Sequence, residues 1–214
     1  MTSSRLGELF NTSQPVILLP GAVDRFMELA VRSLVRQRML VVIAGSRAER
    51  YATIGEACGR DVARACVAPG QAMRPEWLDR FLRSPDFEAV AVVQQEDAQG
   101  EPMLLAELAP VVRRNGALLI ADVSFSVGHS PVQADQWGLD LVFAGGEGGS
   151  PIPSWLVVGA ASSRALQRAQ SMPGRGHALD LVAHHAAAAE GTTLDPLPEP
   201  LNAVQARILS ALQP

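Results

Sequence analysis

Short apolar runs rich in β-branched residues alternate with longer amphipathic stretches over most of the chain. A short apolar run bounded by turn residues is what a strand buried on both faces looks like, and an amphipathic stretch between two such runs is a crossover helix. Seven strands are predicted: PVILL from Pro15, MLVVIA from Met39, ARACVA from Ala63, AVAVVQ from Ala89, ALLIAD from Ala117, LDLVFA from Leu139 and WLVVGA from Trp155. Residues 22–37 set Val23, Phe26, Leu29, Ala30, Leu34 and Val35 on one helical stripe, and residues 47–58 and 102–114 repeat that spacing. Segment 74–83, with Pro75 near its first turn, predicts a shorter helix, and Ser162 is a good cap for SSRALQRAQ. Beyond Gly174 the pattern predicts an Ala-rich helix ending at Gly191, a Pro-rich loop TTLDPLPEP, and a last helix LNAVQARILSAL. The glycine-rich stretch Gly145–Pro153 reads as a strand-to-strand loop, so the expected class is α/β in one domain with a mostly parallel sheet.

Composition narrows the chemistry. The 214 residues are 48% apolar and 19% charged, which excludes disorder, and a net charge of −4 offers phosphates no basic surface, so no nucleic-acid partner is expected. No apolar run approaches the roughly 20 residues of a membrane helix, and the N-terminus has no apolar leader core, so a cytoplasmic location with no membrane association is expected. Cys58 and Cys66 lack the spacing of a metal or redox pair and read as reduced thiols. All 18 basic residues are arginine; the chain contains no lysine.

In order, these segments resemble the large domain of the class V aminotransferases, in particular the alanine–glyoxylate and serine–glyoxylate branch of the pyridoxal-phosphate enzymes. PVILLPGAVDRFMELAVRSLV is similar to that family's first strand, phosphate-binding turn and long helix, and VVIAGSRAERYATIGEACG to its second strand and following helix. NGALLIADVSFSVGHSPVQADQWGLDLVFAG carries the most specific likeness, and EGTTLDPLPEPLNAVQARILSAL resembles the segment that reaches toward a neighbouring subunit. The resemblance implies a three-layer α/β/α fold with a mostly parallel seven-stranded sheet, and a homodimer or a heteromer with an aminotransferase-like subunit. It also implies that the family's N-terminal arm and its small domain, with the arginine that grips a substrate carboxylate, are absent here.

The family's cofactor needs a lysine amine for its imine. Aligned on FAGGEGGSPIP, Gly148 stands where that lysine belongs, so no catalytic residue is assigned and covalent pyridoxal phosphate is not expected. The phosphate turn is replaced by Gly21, Ala22, Val23 and Asp24. Asp24 either opposes a phosphate or complements the helix dipole. Arg47 takes the place of the residue that stacks on the pyridine ring. Of Gln94, Gln95, Glu96 and Asp97, only Glu96 matches the family's run, while Asp195 replaces a phosphate-holding threonine and Thr192 is retained. Asp122 matches the aspartate that pairs with the pyridine nitrogen; a carboxylate at a strand's carboxyl end can equally bond loop amides. The remnant cleft is therefore expected at Asp122, Gly21, Thr192 and Glu96.

These features imply a catalytically inactive relative serving in protein association or ligand binding. The alternatives are a non-catalytic subunit whose Thr192 loop completes the site of a lysine-bearing partner, and an enzyme using Glu96 and Asp122 as acid and base without pyridoxal phosphate. Two further groupings rest on spacing alone. His177, Asp180 and His184, with His185 beside them, could share a helical face, but the spacing matches no usual metal pattern and no metal is assigned. Ser124, Ser126 and His129 lie close in sequence, without the elbow motif of a hydrolase.

Overall fold

The computed structural model describes residues 6–68, 70–83, 86–97, 100–146 and 150–210. All seven predicted strands form: β1 (Val16–Pro20), β2 (Arg38–Ile43), β3 (Asp61–Cys66), β4 (Ala89–Val93), β5 (Leu118–Asp122), β6 (Leu141–Gly145) and β7 (Leu156–Ala161). They join in one sheet of order β1-β7-β6-β5-β4-β2-β3, in which only β7 runs antiparallel to its neighbours, β1 and β6. The parallel strands β2, β4, β5 and β6 are linked by helical crossovers, as parallel pairing requires.

Eight helices among the described residues cover the two faces: α1 (Val23–Leu34), α2 (Ser46–Ala57), α3 (Pro75–Leu82), α4 (Leu105–Arg114), α5 (Ala134–Trp137), α6 (Ser163–Gln170), α7 (Leu181–Ala189) and α8 (Leu201–Ser210). One core layer packs α1, α2, α6 and α7 on one face through residues such as Phe26, Tyr51, Ala165 and Leu181. The other packs α3, α4, α5 and α8 on the opposite face through Leu78, Leu108, Ala134 and Ile208. The fold is the three-layer α/β/α sandwich expected from the sequence.

The differences have local causes. The Ala-rich segment becomes helical only at Leu181, because Asp180 caps it by accepting from the amides of Val182 and Ala183, after a turn-rich stretch with Gly174 and Gly176 at positive φ. Short α5 and a single 3-10 turn at Gly7–Leu9 were not expected, being too short to display a period. β6 starts at Leu141 rather than Leu139, since the backbone N–H of Asp140 already donates to Leu119 and its carboxylate accepts from that residue's N–H. The expected loop Gly145–Pro153 falls partly outside the described residues, and so does Gly148.

Candidate functional site

Gly21, Arg47, Glu96 and Asp122 follow or close the carboxyl ends of β1, β2, β4 and β5, the end of an open α/β sheet where ligands bind. Asp122 closes β5 with a fully buried carboxylate. Its Oδ1 accepts from the backbone N–H of Ser124 at 3.0 Å and from the Ser124 hydroxyl at 2.6 Å. Its Oδ2 accepts from Nε of Arg47 at 2.7 Å, and the same guanidinium donates to Ser124 Oγ at 2.8 Å. Ser124 Oγ also accepts from the Gly145 amide at 2.9 Å, so the cluster ties β5 and β6 to the first turn of α2. The Arg47 side chain is only 11% exposed, and its guanidinium lies 5.7 Å from the Phe125 ring centroid, a cation–π distance.

Arg47 is fixed by its backbone as well. Glu96 turns its carboxylate onto the start of α2 and accepts from the amides of Arg47 at 2.9 Å and Ala48 at 3.0 Å, a cap supplied from 48 residues away. The approach is close enough that a Cβ on Gly45 would lie 2.7 Å from Glu96 Cδ, which explains glycine there. Beneath lies Tyr51, whose ring packs edge-on against Phe143 while Phe143 stacks on Phe26 at 4.9 Å. The buried Tyr51 hydroxyl has no hydrogen-bond partner among the described residues. Burial, reinforced by the Asp122 charge, pushes its pKa well above the ordinary tyrosine value.

The turn replacing the phosphate cup is also internally committed. Gly21 has φ +126°, a conformation open to glycine, and its amide donates to Trp155 O at 2.7 Å. Asp24 accepts from Nε of Arg50 at 2.7 Å, bridging the first turns of α1 and α2 beside a cleft of about 600 Å³. Arg25 donates to Pro20 O at 2.6 Å and to Asp195 at 2.7 Å, which pins the 191–200 loop to this turn within one chain. Thr192 is exposed at the end of α7, and its amide donates to Ala187 O.

The other groupings do not assemble. His177 precedes α7 instead of lying on it; Asp180 caps that helix and pairs with Arg175 at 3.0 Å, and His184 contacts Ala178 O at 3.0 Å. Ser124 is consumed by Asp122, Ser126 is buried and His129 is exposed. Gln94, Gln95 and Asp97 stay with Glu96 in the turn after β4. The partners of Arg47, Arg50, Arg25 and Glu96 are not legible in the sequence. Arg47 is recognisable in the sequence as a replacement, but its partner is 75 residues away, and no local signal joins them.

The family model of the class V aminotransferases matches residues 4–190, and the chain belongs to that family. An uncharacterized aminotransferase of Methanocaldococcus jannaschii is 27% identical over 86% of this chain and 49% of its own length. The serine–glyoxylate aminotransferase of Methylorubrum extorquens is 27% identical over 80% of this chain and 44% of its own. Among solved structures, alanine–glyoxylate aminotransferase from Nostoc sp. superposes with a TM-score of 0.87 at 24% identity, covering 99% of this chain and 57% of that one, a likeness of fold. The chain spans about half the length of the curated relatives it matches.

Pyridoxal phosphate, the cofactor this family implies, does not fit the residues present. A pyridinium needs a free oxygen on the strand-end aspartate, and both oxygens of Asp122 carry bonds from Arg47 and Ser124. A phosphate needs hydroxyls and free amides at the α1 turn; it would meet Val23 and the Asp24 carboxylate. Arg47 presents to Asp122 the same chemistry as a protonated ring nitrogen, a planar N–H cation, from within the chain.

Proposed function

We propose that this chain is an aminotransferase-like protein without aminotransferase catalysis of its own, retained for protein association or for binding a small ligand in the remodelled cleft. The observation that carries the reading is the Arg47–Asp122 pair, which places an internal cation on the carboxylate that the family reserves for its cofactor. The absence of any lysine supports it, because an imine anchor then has no side-chain amine. Glu96 and Asp122 are poor candidates for an acid–base pair, since one caps α2 and the other is saturated by Arg47 and Ser124.

In this reading the protein works in the cytoplasm as a homodimer or beside an aminotransferase-like subunit, with no nucleic-acid or membrane partner and no covalent pyridoxal phosphate. Among the described residues no helix is long and apolar enough to cross a membrane. The test is incubation of the purified chain with pyridoxal phosphate and an amino acid and 2-oxo acid pair. The expected outcome is no imine band with pyridoxal phosphate alone beyond that of a protein-free control, and no amino-group transfer above that control in the full mixture; transfer by the isolated chain above the control rejects the proposal.

A further inference from the structure

β3 is the last strand of the sheet and pairs with β2 alone, in parallel. The N–H groups of Asp61 and Val67 donate inward, to Gln37 O at 2.8 Å and Ile43 O at 2.9 Å. Successive residues of a parallel strand bond to alternate sides, so Val62, Arg64 and Cys66 turn their N–H and C=O groups away from β2. No other strand of the sheet reaches them, and such an uncovered edge is a template for a further extended chain.

Beside this edge lies a groove of about 520 Å³, walled by Ala63 of β3, Trp77 and Phe81 of α3, and Phe87, with Arg38 and Arg80 on its lining. Trp77 and Phe81 stand one helical turn apart and are 39% and 41% exposed. Large aromatic side chains grouped on an open groove mark an interaction surface, where a single exposed one would not. Arg38 is already committed, to Asp61 at 3.0 Å and to the Phe87 ring at 4.8 Å. Arg80 has no ion pair among the described residues, nor has Arg74, whose guanidinium lies 5.3 Å from the Trp77 ring centroid. No carboxylate stands on the groove's lining.

We propose that the β3 edge docks an extended segment of a partner protein, one with an apolar side chain flanked two positions away on each side by a carboxylate. The segment adds to the sheet as a strand, its backbone bonding to Val62, Arg64 and Cys66. Every second side chain of such a strand falls on the face of Ala63, so the apolar one meets Trp77 and Phe81 and the carboxylates meet Arg74 and Arg80. On the opposite face Arg64 is held by Glu49 at 2.8 Å and Glu56 at 2.6 Å and asks for no further charge. Charge also decides against a second copy of this chain. Antiparallel pairing of two β3 edges keeps both α3 helices on one face, and so gathers the unpaired arginines of both chains along one seam. None of these residues takes part in the Arg47–Asp122 network, so amino-group transfer by the chain would reject the earlier reading and leave this one standing.

The probe is acetyl-Thr-Glu-Thr-Ile-Thr-Glu-Thr-amide, titrated into the full chain while hydrogen exchange at the Val62, Arg64 and Cys66 amides is followed by nuclear magnetic resonance. Saturable binding is expected, with exchange at those amides slowed at least about tenfold and the Trp77 indole shifted. Replacing both glutamates of the peptide by lysine, or methylating the nitrogens of its central Thr-Ile-Thr, should weaken binding at least about tenfold. Arg80→Glu breaks no ion pair within the described chain, so it keeps the parent's thermal midpoint while weakening the glutamate peptide about tenfold and strengthening the lysine one. Absence of saturable binding, unslowed exchange at the β3 amides, or equal binding of the lysine or methylated peptide would each overturn the proposal. So would β3 amides already protected in the chain alone by self-association that dilution reverses, since the occupant is then a second copy.

Discussion

Two buried arginine–aspartate pairs stand at opposite ends of the central strands. At the carboxyl end, Asp122 of β5 pairs with Arg47 of α2 at 2.7 Å. At the other end, Asp140, just before β6, pairs with Arg164 of α6 at 2.9 Å and also accepts from the Leu119 amide and the Ser162 hydroxyl. Arg164 goes on to donate to the carbonyls of Gly116 and Ala117, so this pair closes chain turns where an open α/β sheet binds no ligand. The chemistry is the same and the location differs. The Asp140 pair is a staple at the closed end of the sheet, whereas the Asp122 pair stands at the end where open α/β sheets bind ligands.

The comparison is broken most forcefully by removing one cation at a time. Arg47→Met leaves Asp122 buried and uncompensated and should lower stability by about 3–5 kcal/mol, measured by urea denaturation. Adding Asp122→Asn should recover most of that loss, because a neutral amide needs no counter-charge; failure of the double variant to recover would mean that the arginine acts through packing alone. Arg164→Met should cost less, about 1–3 kcal/mol, since Arg164 is 29% exposed and water partly solvates the abandoned carboxylate. Equal losses in the two variants would contradict the distinction drawn from burial.

A third, more peripheral set gives the low end of the scale, with Asp79 half-buried and Asp135 exposed. Asp79 accepts from Asn115, Arg114 and Arg83, and these bonds, Asn115's first, hold its pKa down at about 2. Burial alone would raise Asp135, but bonds from Thr12 and Ser13 outweigh it and keep its pKa below the ordinary aspartate value. Both groups are depressed in the folded chain, so their stabilisation is complete above the unfolded value near 4 and is lost as the pH falls through the folded value. Thermal midpoints should therefore decline between about pH 4 and pH 2, and Asn115→Ala should lessen Asp79's share of that decline. A flat profile across that range would remove these carboxylates from the account.

How much of this could be read in the sequence divides along range of contact. Six of the seven strands were legible because continuous Val, Ile, Leu and Ala runs can only be buried on both faces, and the long helices because their stripes repeat over three turns; β3, the edge strand, is mostly half-exposed and carries Asp61 and Arg64, so its apolar run is shorter. The start of α7 was not, since Ala-rich composition favours helix throughout residues 174–191 and only the cap geometry of Asp180 decides where it begins. Asp122 and Glu96 were identifiable as site positions through resemblance, yet their roles were not. Glu96 caps a helix in a distant part of the sequence, and Asp122 takes its partner from another crossover, contacts that no local pattern encodes.

If Arg47 holds the place of a cofactor cation on Asp122, pyridoxal phosphate finds no site there. Calorimetric titration of pyridoxal phosphate into the purified chain decides this. No saturable heat is expected with the parent chain. One-to-one saturable binding that Asp122→Asn abolishes, with Arg47 displaced from the carboxylate in a structure of the complex, would contradict it.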